Sequence, residues 1–131
     1  MTEPTSDAGL LVMQFNGANA NQYISHYIYS NGSTTTSDWS SLTSFIYLVP
    51  IGGFLTSSGT VNLIDIHDYA NTSRKKTVRI FGGGDQGTAG RVGYHSGHWN
   101  QTSAISSITI YWTSVQFQIG TTISLYGIKG A

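Results

Sequence analysis

Every apolar stretch of this chain is short or strictly alternating, and a cluster of turn residues breaks it before it can lengthen. No segment repeats apolar side chains at the 3.6-residue period of a capped helix. A chain built this way has strands to work with and little else. The runs predict strands near Leu10–Phe15, Tyr23–Ser30, Leu42–Val49, Thr60–His67, Lys76–Phe81, Arg91–Tyr94, Ile105–Trp112 and Thr122–Ile128. The spacers NGANAN, NGSTTTSD, PIGG, TSSG, NTSRK, GGGDQGTAG and SVQFQIG are rich in Gly, Asn and Ser, which accept positive φ or bond their own backbone in turns.

The alternation has a direction. In Tyr23–Tyr29, Ile24 and Ile28 oppose Tyr23, Tyr27 and Tyr29. Ile108, Ile110 and Trp112 share a face against Thr109 and Tyr111, and Ile123 and Leu125 oppose Ser124 and Tyr126. One apolar and one polar-aromatic face is the pattern of antiparallel sheets packed on one side. About eight such strands predict an all-β, antiparallel two-sheet β-sandwich, jelly-roll-like, with a closed barrel as the second choice. The last strand, Thr122–Ile128, is expected to complete a sheet beside the first.

At 131 residues the expected layout is a flexible arm, residues 1–8, and one sandwich domain, residues 9–131. A domain of this size holds a core without staples, and with no cysteine there are no disulfides or thiolate metal sites. Only 9% of residues are charged and the formal net charge is zero. That argues against a nucleic-acid surface, which needs clustered Lys and Arg to neutralise phosphates, and no nucleic-acid partner is expected. The one basic cluster, Arg74, Lys75 and Lys76 with Arg79, is read as a solvated turn leading into a strand. A near-neutral surface of Ser, Thr, Asn, Gly and Tyr puts up little repulsion against self-association. No run approaches the roughly 20 apolar residues that cross a bilayer, and MTEPTSDAG has neither a basic nor an apolar signal region. No membrane partner and no Sec signal peptide are expected, so a protein working outside a cell would leave by lysis or a dedicated machine.

Several residues carry chemistry in principle. His95 and His98 have an H-x-x-H spacing that, with His67, Asp65 or Asp68, supplies metal-ligand types. Zinc sites need three or four convergent ligands, and no spacing here brings a third, so no metal or cofactor is expected. Asp65 and Asp68 flank His67, and two carboxylates can perform glycoside chemistry. Asp68 and Asn71 are better placed to shape a turn, and no catalytic residues are assigned. Gly82–Gly87 lacks the G-K-[ST] ending of a phosphate loop and no helix follows it. Tyr94, His95, His98 and Trp99 cluster after that loop. Aromatics beside polar donors stack on sugar rings or anchor protein interfaces, and these four form the candidate contact surface; the competing reading packs Trp99 under the loop. The sequons at Asn31, Asn71 and Asn100 reflect composition.

Ala104-Ile105-Ser106-Ser107-Ile108-Thr109-Ile110, then Phe117, then Gly120–Ile128 with its Leu125-Tyr126-Gly127-Ile128, resembles the closing signature of β-sandwich virion proteins of tailed bacteriophages. Ile64–Thr72 with Lys76-Thr77, and Trp99 ahead of the Ile105 strand, are similar to theirs too. The likeness covers roughly residues 20–128. It implies a non-catalytic virion structural protein on the outer surface of the phage particle, with no catalytic residue to carry over. Within that family, a lone sandwich with a short polar arm and no shaft fits a capsid decoration (cement) protein. Its expected partners are the major capsid protein and copies of itself, as trimer or dimer. The alternative is a tail-tip or tail-fibre receptor-binding module that recognises cell-surface glycan.

Overall fold

The computed structural model describes residues 9–49, 59–84 and 90–128. Among them are eight strands and no helix: β1 (Leu11–Phe15), β2 (Tyr23–Ser30), β3 (Thr35–Thr43), β4 (Ile46–Tyr47), β5 (Thr60–His67), β6 (Lys76–Gly84), β7 (Arg91–Trp99) and β8 (Ile108–Trp112). They form two separate antiparallel sheets, β4-β1-β8 and β3-β2-β7-β6-β5. The chain is the all-β sandwich its alternation predicts. Pairing of β1 with β8 and of β2 with β7 is nested, as a rolled-up ribbon gives, whereas β5, β6 and β7 follow one another as a meander.

The core lies between the sheets. Leu11, Met13 and Phe15 of β1 and Ile46 and Leu48 from the β4 strip face Tyr23, Val78, Ile80 and Trp99 of the larger sheet. Phe15 is the hinge of an aromatic cluster, with its ring 5.6 Å from Trp99 and 6.3 Å from Tyr23. The Tyr23 hydroxyl is satisfied inside: it accepts from the Phe15 N–H at 2.9 Å and donates to the Ala18 carbonyl at 3.1 Å. At the end of β1 the chain turns through Asn16, φ 53°, and Gly17, φ 65°, the left-handed region that these two residues tolerate best. Asn16 also ties this turn to the run leading into β8, its Oδ1 accepting from the Ser106 and Ser107 N–H groups while its Nδ2 donates to the Ala104 carbonyl.

Several expectations change. In β2 the faces are reversed, with Tyr23 and Ser25 buried and Ile28 exposed, because the Tyr23 ring joins the core cluster. Thr35–Asp38, read as the end of a turn, and Trp39–Ser41, assigned to no element, make up most of β3, and the predicted strand Leu42–Val49 divides into the end of β3 and the short β4. The strand from Arg91 does not stop at Tyr94 but runs to Trp99. Thr122–Ile128 joins neither sheet, and its side chains stand exposed. Lys76 is no solvated turn residue. As the first residue of β6 it shares the inward phase of Val78 and Ile80 and is fully buried. Its ammonium donates to three carbonyls, Asn71 at 2.5 Å, Arg74 at 2.6 Å and Thr102 at 3.0 Å, one for each proton it carries. The expected arm 1–8, the PIGG turn and residues 85–89 of the glycine-rich loop fall outside the described residues.

Candidate contact surface

Residues two apart on a strand face the same way, and β7 applies that rule to the four candidates. His95 and Trp99 point inward with Gly97 and are buried, at 1% and 2% exposure. Tyr94 points outward with Ser96, and His98 lies half-buried on that side. The four therefore do not share one surface. Trp99 belongs to the core cluster and donates its ring N–H to Gln22 Oε1. The same rule separates His95 from His98 as ligands. Among the described residues no group of three His, Cys, Asp or Glu side chains could hold a metal ion.

Asp65 stands on the outer face of β5, opposite Arg79 of β6, with 3.7 Å between the charged groups. Asp68, φ 54°, is a turn residue whose carbonyl accepts from the Asn71 N–H. Its carboxylate lies 3.8 Å from Arg74. Both carboxylates are thus occupied by arginines on the solvent side, and they do not converge on a cleft.

The outer face of the five-stranded sheet collects the apolar surface instead. Ile28 of β2, Trp39 of β3, Leu63 of β5, Phe81 of β6 and Tyr94 of β7 are all exposed, Trp39 at 60%. Trp39 stacks on His26 at 6.1 Å across the β2–β3 pair, and Phe81 lies 6.3 Å from Tyr94 across β6–β7. Between Trp39 and Tyr94 an open depression of about 500 Å³ is floored by residues 26–28 of β2 and 37–39 of β3, with Ser96 at its side. Charge on this face is sparse and balanced: Asp65 is matched by Arg79, and burial, helped by nearby Lys75, lowers the His98 pKa and so favours its neutral form. A broad, neutral, aromatic floor can stack on flat rings or bury against another protein. Trp39, its most exposed aromatic, lay in the sequence among polar residues between a predicted turn and a predicted strand, and was assigned to neither.

His95 contributes to stability instead. Its Nδ1 lies 3.1 Å from the Tyr47 carbonyl, an acceptor, so the neutral ring carries its proton there. Nε2 is buried and finds no partner among the described residues. Burial pushes the His95 pKa below its ordinary value of 6.5, and the Tyr47 carbonyl only partly opposes this. The unfolded chain therefore takes up a proton near pH 6.5 that the fold refuses, and stability falls as pH drops below that value. Urea unfolding at pH 7.5, 6.5 and 5.5 should show a flat upper range and a declining lower one. His95→Asn, which keeps a donor for Tyr47, should flatten the decline; an unchanged slope would refute this assignment.

Comparison with family models, with curated proteins and with solved structures finds no match for this chain.

Proposed function

We propose that this chain is a non-catalytic bacteriophage virion structural protein, a capsid decoration protein that binds the assembled head shell through the outer face of its five-stranded sheet and stabilises it. The observation that carries the reading is the exposed, neutral band formed by Trp39, Ile28, Tyr94, Phe81 and Leu63. Exposed apolar surface on this scale marks an interaction site, and Trp and Tyr are the residues most enriched at interface hot spots. Its flatness suits a protein partner such as the major capsid protein. The resemblance of the closing residues to phage virion proteins supplies the particle.

The test is co-sedimentation with head shells that lack this protein. Trp39→Ala with Tyr94→Ala is expected to weaken binding by about a hundredfold or more, the loss of two hot-spot side chains. Thermal stability should barely change, because both rings are about half exposed or more. Wild-type protein that ignores the shells, or antibody label found only on the tail, removes the reading.

The depression between Trp39 and Tyr94 favours one alternative, a receptor-binding module for cell-surface glycan. It sets two aromatic rings beside His26 and Asp38, the mixture of stacking surfaces and polar groups that sugars use. Binding to host polysaccharide that is lost with Trp39→Ala, together with tail labelling, would select it.

A further inference from the structure

We infer that residues 122–128 are a donor strand that completes the sandwich of a second copy of this chain by pairing with the free edge of that copy's β8. The inference goes beyond the particle reading and stands whether or not that reading does.

The donor is a strand without a sheet. Residues 113–128 are all exposed and pair with no strand among the described residues. Yet Ile123 and Leu125 alternate with Ser124 and Tyr126 as a half-buried strand requires. In the monomer Leu125 is 82% and Ile128 89% exposed. No charged residue interrupts 113–128.

The acceptor is a sheet short of a strand. Among the described residues the smaller sheet has three strands against five, and β8 is its open edge. The run leading into β8 is tied to the β5–β6 turn, through the Ile105 N–H to the Tyr69 carbonyl and through Lys76 to Thr102. β8 therefore lies on the β5 side of the sandwich. Among the described residues nothing closes the core on that side: Ile108, Ile110 and Trp112 of β8 and Ile64 and Ile66 of β5 face inward but are only partly buried. Natural edge strands are guarded by lysines, prolines, bulges or shortness. Ile108-Thr109-Ile110-Tyr111-Trp112 has no Lys or Pro and pairs with β1 in unbroken register.

The exit path selects a neighbour. A tight hairpin onto its own β8 would reverse the chain directly after Trp112. Instead Thr113 continues along the β1 side, donating its N–H to the Leu10 carbonyl at 3.0 Å while its Oγ1 accepts from the Leu10 N–H at 2.8 Å. Beyond Thr113 the residues to 128 are exposed, and the linker before Thr122 can span roughly 30 Å when extended. With zero net charge, two copies approach without repulsion.

Disulfide trapping tests this without background, because the chain has no cysteine. Thr109→Cys on β8 is combined in turn with Thr122→Cys, Ser124→Cys or Tyr126→Cys, all on the side away from the apolar face. When protein carrying only T109C is oxidised with protein carrying only one of the other three, a reducible covalent heterodimer is expected for at least one register. The paired substitutions in one chain should give covalent dimers or larger rings. A double variant that bridges within its own chain would show that the strand closes its own sandwich and would overturn the proposal, as would no bridge in any register. Separately, Leu125→Asp, at a position exposed in the monomer, should weaken association in sedimentation by about a hundredfold. Unchanged association would overturn the proposal too.

Discussion

Replacing Lys76 with Met is expected to lower the unfolding free energy by about 3 kcal/mol, with a fall of roughly 10 °C in the melting temperature. Methionine nearly matches lysine in length and is apolar, so the loss does not arise from a cavity. It arises from the carbonyls of Asn71, Arg74 and Thr102, which lose the ammonium that all three contact. Bonds to a charged donor contribute about 1.5–3 kcal/mol each. Part of that is offset because the variant no longer desolvates a buried charge, which leaves the smaller net figure. No carboxylate among the described residues pairs with Lys76, so the carbonyls alone hold it. Two of them belong to the β5–β6 turn and the third to the run leading into β8. Amide exchange around residues 100–105 should therefore accelerate along with the thermal loss. Arginine is no substitute, since its planar fork does not match three converging carbonyls. A Met variant as stable as the parent would mean that the cage is neutral packing.

Gly97→Ala should destabilise by a similar amount, about 3 kcal/mol, for a different reason. A β-carbon there would sit 2.6 Å from Ile46 Cγ2 and 3.0 Å from its Cδ1. Ile46 is fully buried, and its branch at Cβ leaves it few rotamers to retreat into. The glycine is the hollow into which the short β4 seats its one core residue. Ile46→Ala alone should cost about 3 kcal/mol through the cavity it leaves. The two substitutions together should cost at least about 1 kcal/mol less than their sum, since the new methyl group enters the space that the isoleucine vacates. Strict additivity in chemical denaturation would show that the contact does not limit the approach of the two sheets.

Most strands were legible because their alternation records burial. In β6, Lys76, Val78, Ile80 and Gly82 point inward between outward neighbours, and β5 repeats that phase. The pattern fails where a strand bonds without burying. Among the described residues β3 is an edge strand that pairs only with β2, beyond the reach of the narrower sheet, and Thr35–Ser41 can be polar but for Trp39. Its hydrogen bonds leave no trace in hydropathy, so Trp39 was invisible as part of a surface. β7 was read too short because Gly93, His95 and Gly97 occupy its inward positions. At Gly97 the space belongs to Ile46, and the missing side chain signals a close approach where the period-two reading expects an apolar residue. Once β7 is extended to Trp99, the separation of Tyr94 from His95, and of His98 from Trp99, follows from spacing alone. The burial of Lys76 could not be read, because three carbonyls from two distant segments have no sequence signature. The C-terminal stretch is the opposite case: its alternation announces a strand but does not say whose sheet it enters.

The position of β1 has a consequence for how the molecule is made. It is the middle strand of its sheet, flanked by β4 and β8, and it is the first of the eight to leave the ribosome. Its pairing with β8 joins Leu11 to Trp112, so one whole layer must wait until nearly every other element has been synthesised. Non-local pairing of this kind folds on the millisecond-to-second scale. Until then, the inward side chains of the larger sheet have no lid. The interval between translation and closure is the time in which a cell's chaperones, or another nascent copy, would meet this protein with its core open.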